Sequence, residues 1–472
     1  IPFLKLFQAA VKSCSQGGVR GGAATLFYPI GHSEFESLIV LKNNRGVEEN
    51  RVRQLDYSVQ LSGFFYRKLI EGSNIHFFSP HQVPEMYEAF FSDQEKFAEL
   101  YEKAVADGLS SGHLPAMEVF SKILQERAGT GRIYIHNVDH TNTHSPFDPE
   151  VATIRQSNLC KEISLPTKPI TTDGEGEVAL CTLAAINLLK VQTPEKMEKV
   201  TRILIRALDA LLSYQDYPLK QALTSTMKYR PLGVGVINYA SFLAEKGFKF
   251  SGSEGNNATH EIFELMQFHL MKASMELAKE FTPCEAFQTL RLAKGVLPID
   301  TYKREVDEVH SSELKCDWEW LRGQIKEYGM RNATVSALMP SETSSIVSNS
   351  TNGIEPPRSE VTTKQSKDGM LKQVVPLLGK AEYETYWEMV ANGQKGNLEK
   401  VGIMQKFICQ SISANTGYDP NMYDQNRVPM QKMLEDLILA YRLGLKTLYY
   451  HNTRDSIELD EDDGCSGGAC KI

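Results

Sequence analysis

No uninterrupted apolar run in the 472 residues approaches the roughly 18 to 20 that a membrane-spanning helix requires. The opening stretch IPFLKLFQAAVKSCSQGG also lacks the layout of a secretory signal. The expectation is a cytoplasmic protein with no membrane partner. Basic residues are outnumbered, 51 Lys and Arg against 59 Asp and Glu, for a formal net charge of −8. Proteins that hold nucleic-acid polymers generally need a positive field to displace counterions from phosphates, so any nucleotide bound here is expected to be small. Cysteine is sparse: Cys14, Cys160, Cys181, Cys284, Cys316, Cys409, Cys465 and Cys470, at irregular spacing. That pattern argues against a disulfide framework and fits a reducing compartment with a few working thiols. The first residue is Ile1 rather than Met, so a processed product or a fragment is expected.

What is present is an ordinary globular composition, 42% hydrophobic and 23% charged, large enough for one big barrel or two to three smaller domains. Helical and strand-like segments alternate, which predicts an α/β class. Thr193 and Pro194 open a helix with an apolar stripe of Met197, Val200, Leu204, Leu208 and Leu211. A strand is predicted over 232–236, leading to a helix that ends at Gly247, followed by the long helix THEIFELMQFHLMKASMELAKE. Pro429 opens a last helix, Gly444 closes it, and LKTLYY reads as a buried strand. From His451 the pattern stops, and the acidic, small-residue end DEDDGCSGGACKI is expected to be solvated and mobile. Two thiols, Cys465 and Cys470, on such an end read best as a reversible dithiol, with a zinc half-site as the weaker alternative.

Four stretches could carry chemistry. In RQSNLCKEI, an extended backbone would put Asn158, Cys160 and Glu162 on one face. A carboxylate beside a cysteine opposes thiolate formation, so a neutral S–H suited to hydrogen-atom chemistry is expected rather than an ionised nucleophile. The alternative is a buried cysteine with two incidental polar neighbours. Cys181, in GEVALCTLAAINL, reads by itself as a small core residue. ALMPSETSSIV offers Ser341, Thr343, Ser344 and Ser345 around Glu342 at a helix start, either an anion site or simple capping. CSQGGVRGGAATLFYP surrounds Arg20 with glycines that let a backbone and one cation approach a ligand. Two other patterns are decoys. His136, His140 and His144 recur every four residues, but GRIYIHNV looks like a strand and TNTHSPFDP like a loop, so no metal site is expected. GVGVIN has Asn238 where a dinucleotide fingerprint needs its third glycine.

The stretches GGVRGGAATLFYP, LKNNRGVEENRVR, TGRIYI, NTHSPFDP, RQSNLC, LPTKP, MPSETSS, NGIEPPR, SISANT and KTLYY, with the paired cysteines of CSGGACKI, occur in the order found in one family. Together they resemble the large (alpha) subunit of class Ia ribonucleotide reductases over essentially the whole chain. The resemblance implies a ten-stranded α/β barrel of two five-stranded halves with its C-terminal subdomain over 1–450, and a mobile redox tail over 451–472. It implies an allosteric oxidoreductase of deoxyribonucleotide biosynthesis that reduces ribonucleoside diphosphates. Cys160 would carry the thiyl radical, Glu162 would accept the 3′-hydroxyl proton and Asn158 would orient that region. Cys181 would be one of two reductant thiols, and Ser157 and the Pro340, Ser341, Glu342, Thr343, Ser344 segment would hold the substrate. Tyr449 and Tyr450 would relay the radical, while Gln16 and Arg20 would lie on the loop that reports effector identity. Cys465 and Cys470 would reduce the active-site disulfide and be recharged by a thioredoxin or glutaredoxin. The radical would come from a diiron-tyrosyl small (beta) subunit, this chain binding no cofactor itself, and ATP and deoxynucleotides would act as effectors in the complete enzyme.

The family's second reductant cysteine lies on a strand upstream of anything matched here, and Cys14 does not replace it. The barrel is therefore expected to be incomplete at its N-terminal strand, with a separate N-terminal polypeptide as the expected partner. Two other readings remain: a non-catalytic assembly module that binds the other reductase subunits, and a thiol oxidoreductase that uses only the tail dithiol.

Overall fold

The computed structural model describes residues 1–454 apart from positions 19, 367, 368 and 392. Cys465 and Cys470 lie outside the described residues. The chain is a mixed α/β structure, and among the described residues no helix is long and apolar enough to cross a membrane.

Two parallel arrays organise the middle of the chain. In the first, Thr25–Pro29, Asp56–Leu61 and Ile133–Asn137 run parallel, and Thr447–Leu448 closes the edge antiparallel to the last of these. All five residues of Ile133–Asn137 are buried, as expected of a strand covered on both faces. In the second array, Leu183–Asn187 pairs with Gly233–Ile237. Single bridges then carry the pattern from Val234 to Ser336 and from Leu338 to Ile412. The hydrogen-bonded sheets among the described residues have at most four strands.

Local sequence explains most of the surrounding helices. Pro194–Tyr214 begins where the Thr193 hydroxyl accepts from the Lys196 amide and Pro194 supplies a preset first turn. Ser253–Glu280, 28 residues long, is buried on nearly every face, polar residues such as Glu264 and Gln267 included, and it packs against Pro194–Tyr214 and other helices. The strand predicted over 232–236 is Gly233–Ile237. Its glycines answer to packing: a Cβ on Gly235 would lie 2.6 Å from the Ala337 carbonyl oxygen and 2.8 Å from Met339 Sδ. Asn238 follows at φ 68 as the helix cap.

Two expectations are corrected. Regular structure does not stop at His451, because His451–Thr453 runs parallel to Thr416–Tyr418. TNT is not loop but part of the helix Val138–Thr143, in which Thr141 Oγ1 and Asn142 Nδ2 bond back to the carbonyls of Asn137 and Val138 at 3.0 Å. The three histidines face separate partners: His136 meets Thr141, His140 the Leu445 carbonyl, and His144 Thr301 and the Gln405 carbonyl. Nearby, Lys446 is fully buried with Nζ donating to the carbonyls of Cys409 at 3.0 Å and Gln410 at 2.6 Å. Burial drives its pKa down to about 7.

Candidate active site

Between the two arrays runs the segment that carries Cys160, and it is a turn rather than a strand. The Lys161 amide donates to the Asn158 carbonyl at 3.3 Å, and Lys161 itself sits at φ 77, a backbone region that side chains with a Cβ enter at a cost. Surrounding bonds impose it. Lys161 Nζ donates to Ser58 Oγ at 2.8 Å and lies 4.1 Å from the centre of the Phe27 ring, while Thr447 Oγ1 donates to the Lys161 carbonyl at 3.0 Å. The Ser411 amide donates to the Glu162 carbonyl at 2.9 Å, and Thr25 Oγ1 reaches the Leu159 carbonyl. Ser413 Oγ is within hydrogen-bond reach of both the Cys160 carbonyl and Glu162 Oε2. Alternation along an extended chain thus does not bring Asn158, Cys160 and Glu162 together. The turn does, with Asn158 Oδ1 accepting from the Ile163 amide at 3.1 Å and its side chain also reaching Glu162.

The electrostatics favour a neutral thiol beside a poised carboxyl group. Burial, then the Glu162 carboxylate, push the Cys160 thiol up to about 12, against a hydrogen bond from Tyr449 and the charge of Arg20. Glu162 is almost fully buried, and that burial lifts its carboxyl above the ordinary range while bonds from its own backbone, Asn158 and Ser413 restrain it. Cys181 is not the core residue that its apolar neighbours suggest, for it is exposed. It lies two residues before the strand Leu183–Asn187, and protein crowding on one side, then Glu162 and Cys160, raise its thiol to about 12 as well. The Asn158 side chain reaches toward Cys181 and opposes that rise.

On the other side of Cys160 stand the tyrosines. The rings of Tyr449 and Tyr450 stack with centroids 3.8 Å apart and planes at 25°. The Tyr449 phenol lies near enough to act on both the Cys160 sulfur and the Tyr450 phenol, which brings three exchangeable hydrogens together. Burial raises the Tyr449 phenol far above its usual pKa, so it does not ionise by simple proton loss. Tyr134 was not legible as a site residue, yet its ring centroid is 4.8 Å from that of Tyr449. Its hydroxyl donates to Asp56 Oδ2 at 2.9 Å, and the Arg132 guanidinium lies 4.0 Å over the Tyr450 ring.

The remaining candidates flank this centre. Ser341 precedes the short helix Glu342–Val347, and its amide donates to Asn352 Oδ1 at 2.9 Å. Pro340 follows Leu338, whose carbonyl accepts from the Ser413 amide at 2.9 Å, so this stretch begins beside the residue that holds Glu162. Thr343 and Ser344 are exposed, and Ser157 Oγ lies 3.3 Å from Asn158 Oδ1. Gln16 and Arg20 pair across a small hairpin turned by Gly17 at φ 58 and Gly18 at φ 72. Arg20 comes near enough for its charge to act on Cys160.

Residues 1–451 match the family model described as ribonucleotide reductase, barrel domain. The chain is 58% identical to the ribonucleoside-diphosphate reductase subunit alpha of Haemophilus influenzae, aligned over 100% of this chain and 63% of that protein. It is 56% and 57% identical to the ribonucleoside-diphosphate reductase 1 subunit alpha of Escherichia coli and of Salmonella typhimurium, again over 100% of this chain and 64% of theirs. The chain thus spans about 63–64% of the length of these curated relatives. The extent of the match, over a fold that gathers a half-buried thiol, a buried carboxyl and a stacked tyrosine pair, places this chain in the ribonucleotide reductase barrel-domain family.

Proposed function

We propose that this chain is the catalytic portion of a ribonucleoside-diphosphate reductase that works by thiyl-radical chemistry. The observation that carries the reading is the stacked pair of Tyr450 and Tyr449 beside Cys160, with Asn158 and Glu162 in the same turn and Cys181 near enough to act on it. In this reading the two parallel arrays are parts of one ten-stranded barrel, with the Cys160 turn inserted between its halves. Activity then requires the portion of its relatives that this chain does not span, together with a radical-generating small subunit.

The steps balance as follows. A Tyr450 phenoxyl, made by the small subunit's oxidant, takes a hydrogen atom from the Tyr449 hydroxyl, and the Tyr449 phenoxyl then takes one from the Cys160 thiol. Each transfer moves an electron and a proton together, which suits phenols and a thiol that do not ionise readily. The Cys160 sulfur radical takes the 3′ hydrogen of the ribose while Glu162 accepts the 3′-hydroxyl proton as general base. The 2′-hydroxyl leaves as water. Two electrons and two protons come from Cys181 and a second thiol, which join as a disulfide, and Cys160 returns its hydrogen atom to C3′. Ser157 and the segment Pro340 to Ser344 would hold the diphosphate, and Gln16 and Arg20 would couple substrate to effector. Cys465 and Cys470 would regenerate the dithiol by exchange.

The test is reduction of a nucleoside diphosphate by this chain with a small subunit, with and without the upstream portion, alongside Cys160→Ala. The expected outcome is turnover in the complete assembly and none with Cys160→Ala, although subunit binding persists. Unchanged turnover in that variant would leave only the assembly-module reading.

A further inference from the structure

Tyr449 and Tyr450 present a geometric problem. Neighbouring residues of an extended chain point their side chains to opposite faces, yet these two rings stack with centroids 3.8 Å apart. The segment lies between the strand pairings of Thr447–Leu448 and His451–Thr453, so the alternation must break between them and be held broken.

Arg127, near the end of the helix Ala116–Thr130, is fully enclosed, and among the described residues the hydrogen bonds of its guanidinium go to carbonyls and one hydroxyl rather than to a carboxylate. Its guanidinium spreads over backbone instead. Nη1 donates to the Tyr449 carbonyl at 2.7 Å and to the Ile133 carbonyl at 2.5 Å. Nη2 donates to the Tyr450 carbonyl at 3.2 Å and to Thr416 Oγ1 at 2.9 Å. Successive carbonyls of a regular strand point opposite ways, whereas one planar fork here holds both from one side. Burying a guanidinium without a carboxylate is costly, and its donors are spent on the only two residues whose rings must stack, and on the strands beside them. Burial lowers its pKa to about 10, so it stays charged at neutral pH.

We infer that Arg127 is a positioning residue for radical transfer: its two-nitrogen fork gathers the carbonyls of Tyr449 and Tyr450 and so holds the break in alternation that stacks the phenols. Its guanidinium hydrogen bonds go to the Ile133, Tyr449 and Tyr450 carbonyls and to Thr416 Oγ1. The inference rests on the reductase reading, and the experiment separates the two.

The reductase is assembled from the full chain, its upstream portion and the small subunit, with wild type, Arg127→Gln and Arg127→Lys. Wild type must first produce deoxynucleotide; if it does not, the reductase reading fails independently of Arg127. Given a working wild type, Arg127→Gln is expected to lower kcat at least tenfold with KM and small-subunit affinity within twofold. Arg127→Lys keeps the buried charge but donates from one nitrogen, and is expected to lose at least fivefold in kcat. A readily oxidised tyrosine analogue at position 450 should still give its radical signal in Arg127→Gln, while the same analogue at 449 should lose at least tenfold of its signal. Wild-type kcat in Arg127→Lys, or equal loss of signal at both positions, overturns the inference. Should Arg127→Gln fail to fold, the lysine variant and its two analogue signals decide.

Discussion

Replacing Lys446 with methionine should flatten the pH dependence of stability between about pH 7 and about pH 9.5. The ammonium is fully buried, and its hydrogen-bond partners among the described residues are the carbonyls of Cys409 and Gln410. Its pKa falls to about 7 in the folded chain, against about 10.4 unfolded. Because the folded value is the lower, the unfolded chain binds more protons throughout the interval, and stability rises with pH. At about pH 7 the linkage costs roughly 4 kcal/mol, and at about pH 9.5 roughly 1 kcal/mol, so the wild type gains about 3 kcal/mol from this group across the interval. Methionine has no proton to bind. The lost hydrogen bonds and altered packing shift the variant's stability by the same amount at both pH values and cancel in the comparison. His136 and His144, whose pKa values Lys446 helps to depress, titrate below the interval. The assay is urea unfolding of both proteins at the two pH values. Wild type should gain about 3 kcal/mol more than Lys446→Met; parallel curves would refute the account of an uncompensated buried ammonium.

Cys181 is exposed, but its thiol sits at about 12; its alkylation rate, followed by mass spectrometry of the labelled peptide, should therefore climb tenfold per pH unit with no plateau below about pH 10. A plateau near the ordinary thiol value would mean that the surrounding protein, Glu162 and Cys160 exert no hold on it. Gly235→Ala should destabilise the chain by about 1–3 kcal/mol in chemical denaturation, because the added methyl meets the Ala337 carbonyl oxygen at 2.6 Å. An unchanged midpoint would show that the neighbouring strand yields.

How far the sequence could be read depended on the range of the forces involved. Pro194–Tyr214 was legible because its cap and first-turn proline are local signals, but of the expected stripe only Met197 and Leu208 are buried: the inner face runs through Thr201, Ile205 and Leu212, and Leu211 is exposed. The grouping of Asn158, Cys160 and Glu162 was also legible, but its cause was misread. A strand was expected, and a turn was found because Lys161 is held by Ser58 and Thr447, 103 and 286 positions away. No local pattern encodes such bonds. Tyr134 and Asp56 escaped notice for the same reason: their neighbourhood exists only once Tyr57 and Ile133 are partners in the sheet. Cys181 looked like core because its neighbours are apolar, although the strand begins only at Leu183. Strand pairing at His451–Thr453 was hidden because a three-residue element is too short to show a period.

The clasp around the Cys160 turn has a consequence for how the protein is made. Its bonds come from residues near the start of the chain, Thr25 and Ser58, and from near the end, Ser413 and Thr447. Such distant closures are slow to form. During synthesis, therefore, the clasp on this turn cannot close until Thr447, 286 positions beyond Lys161, has emerged and reached it.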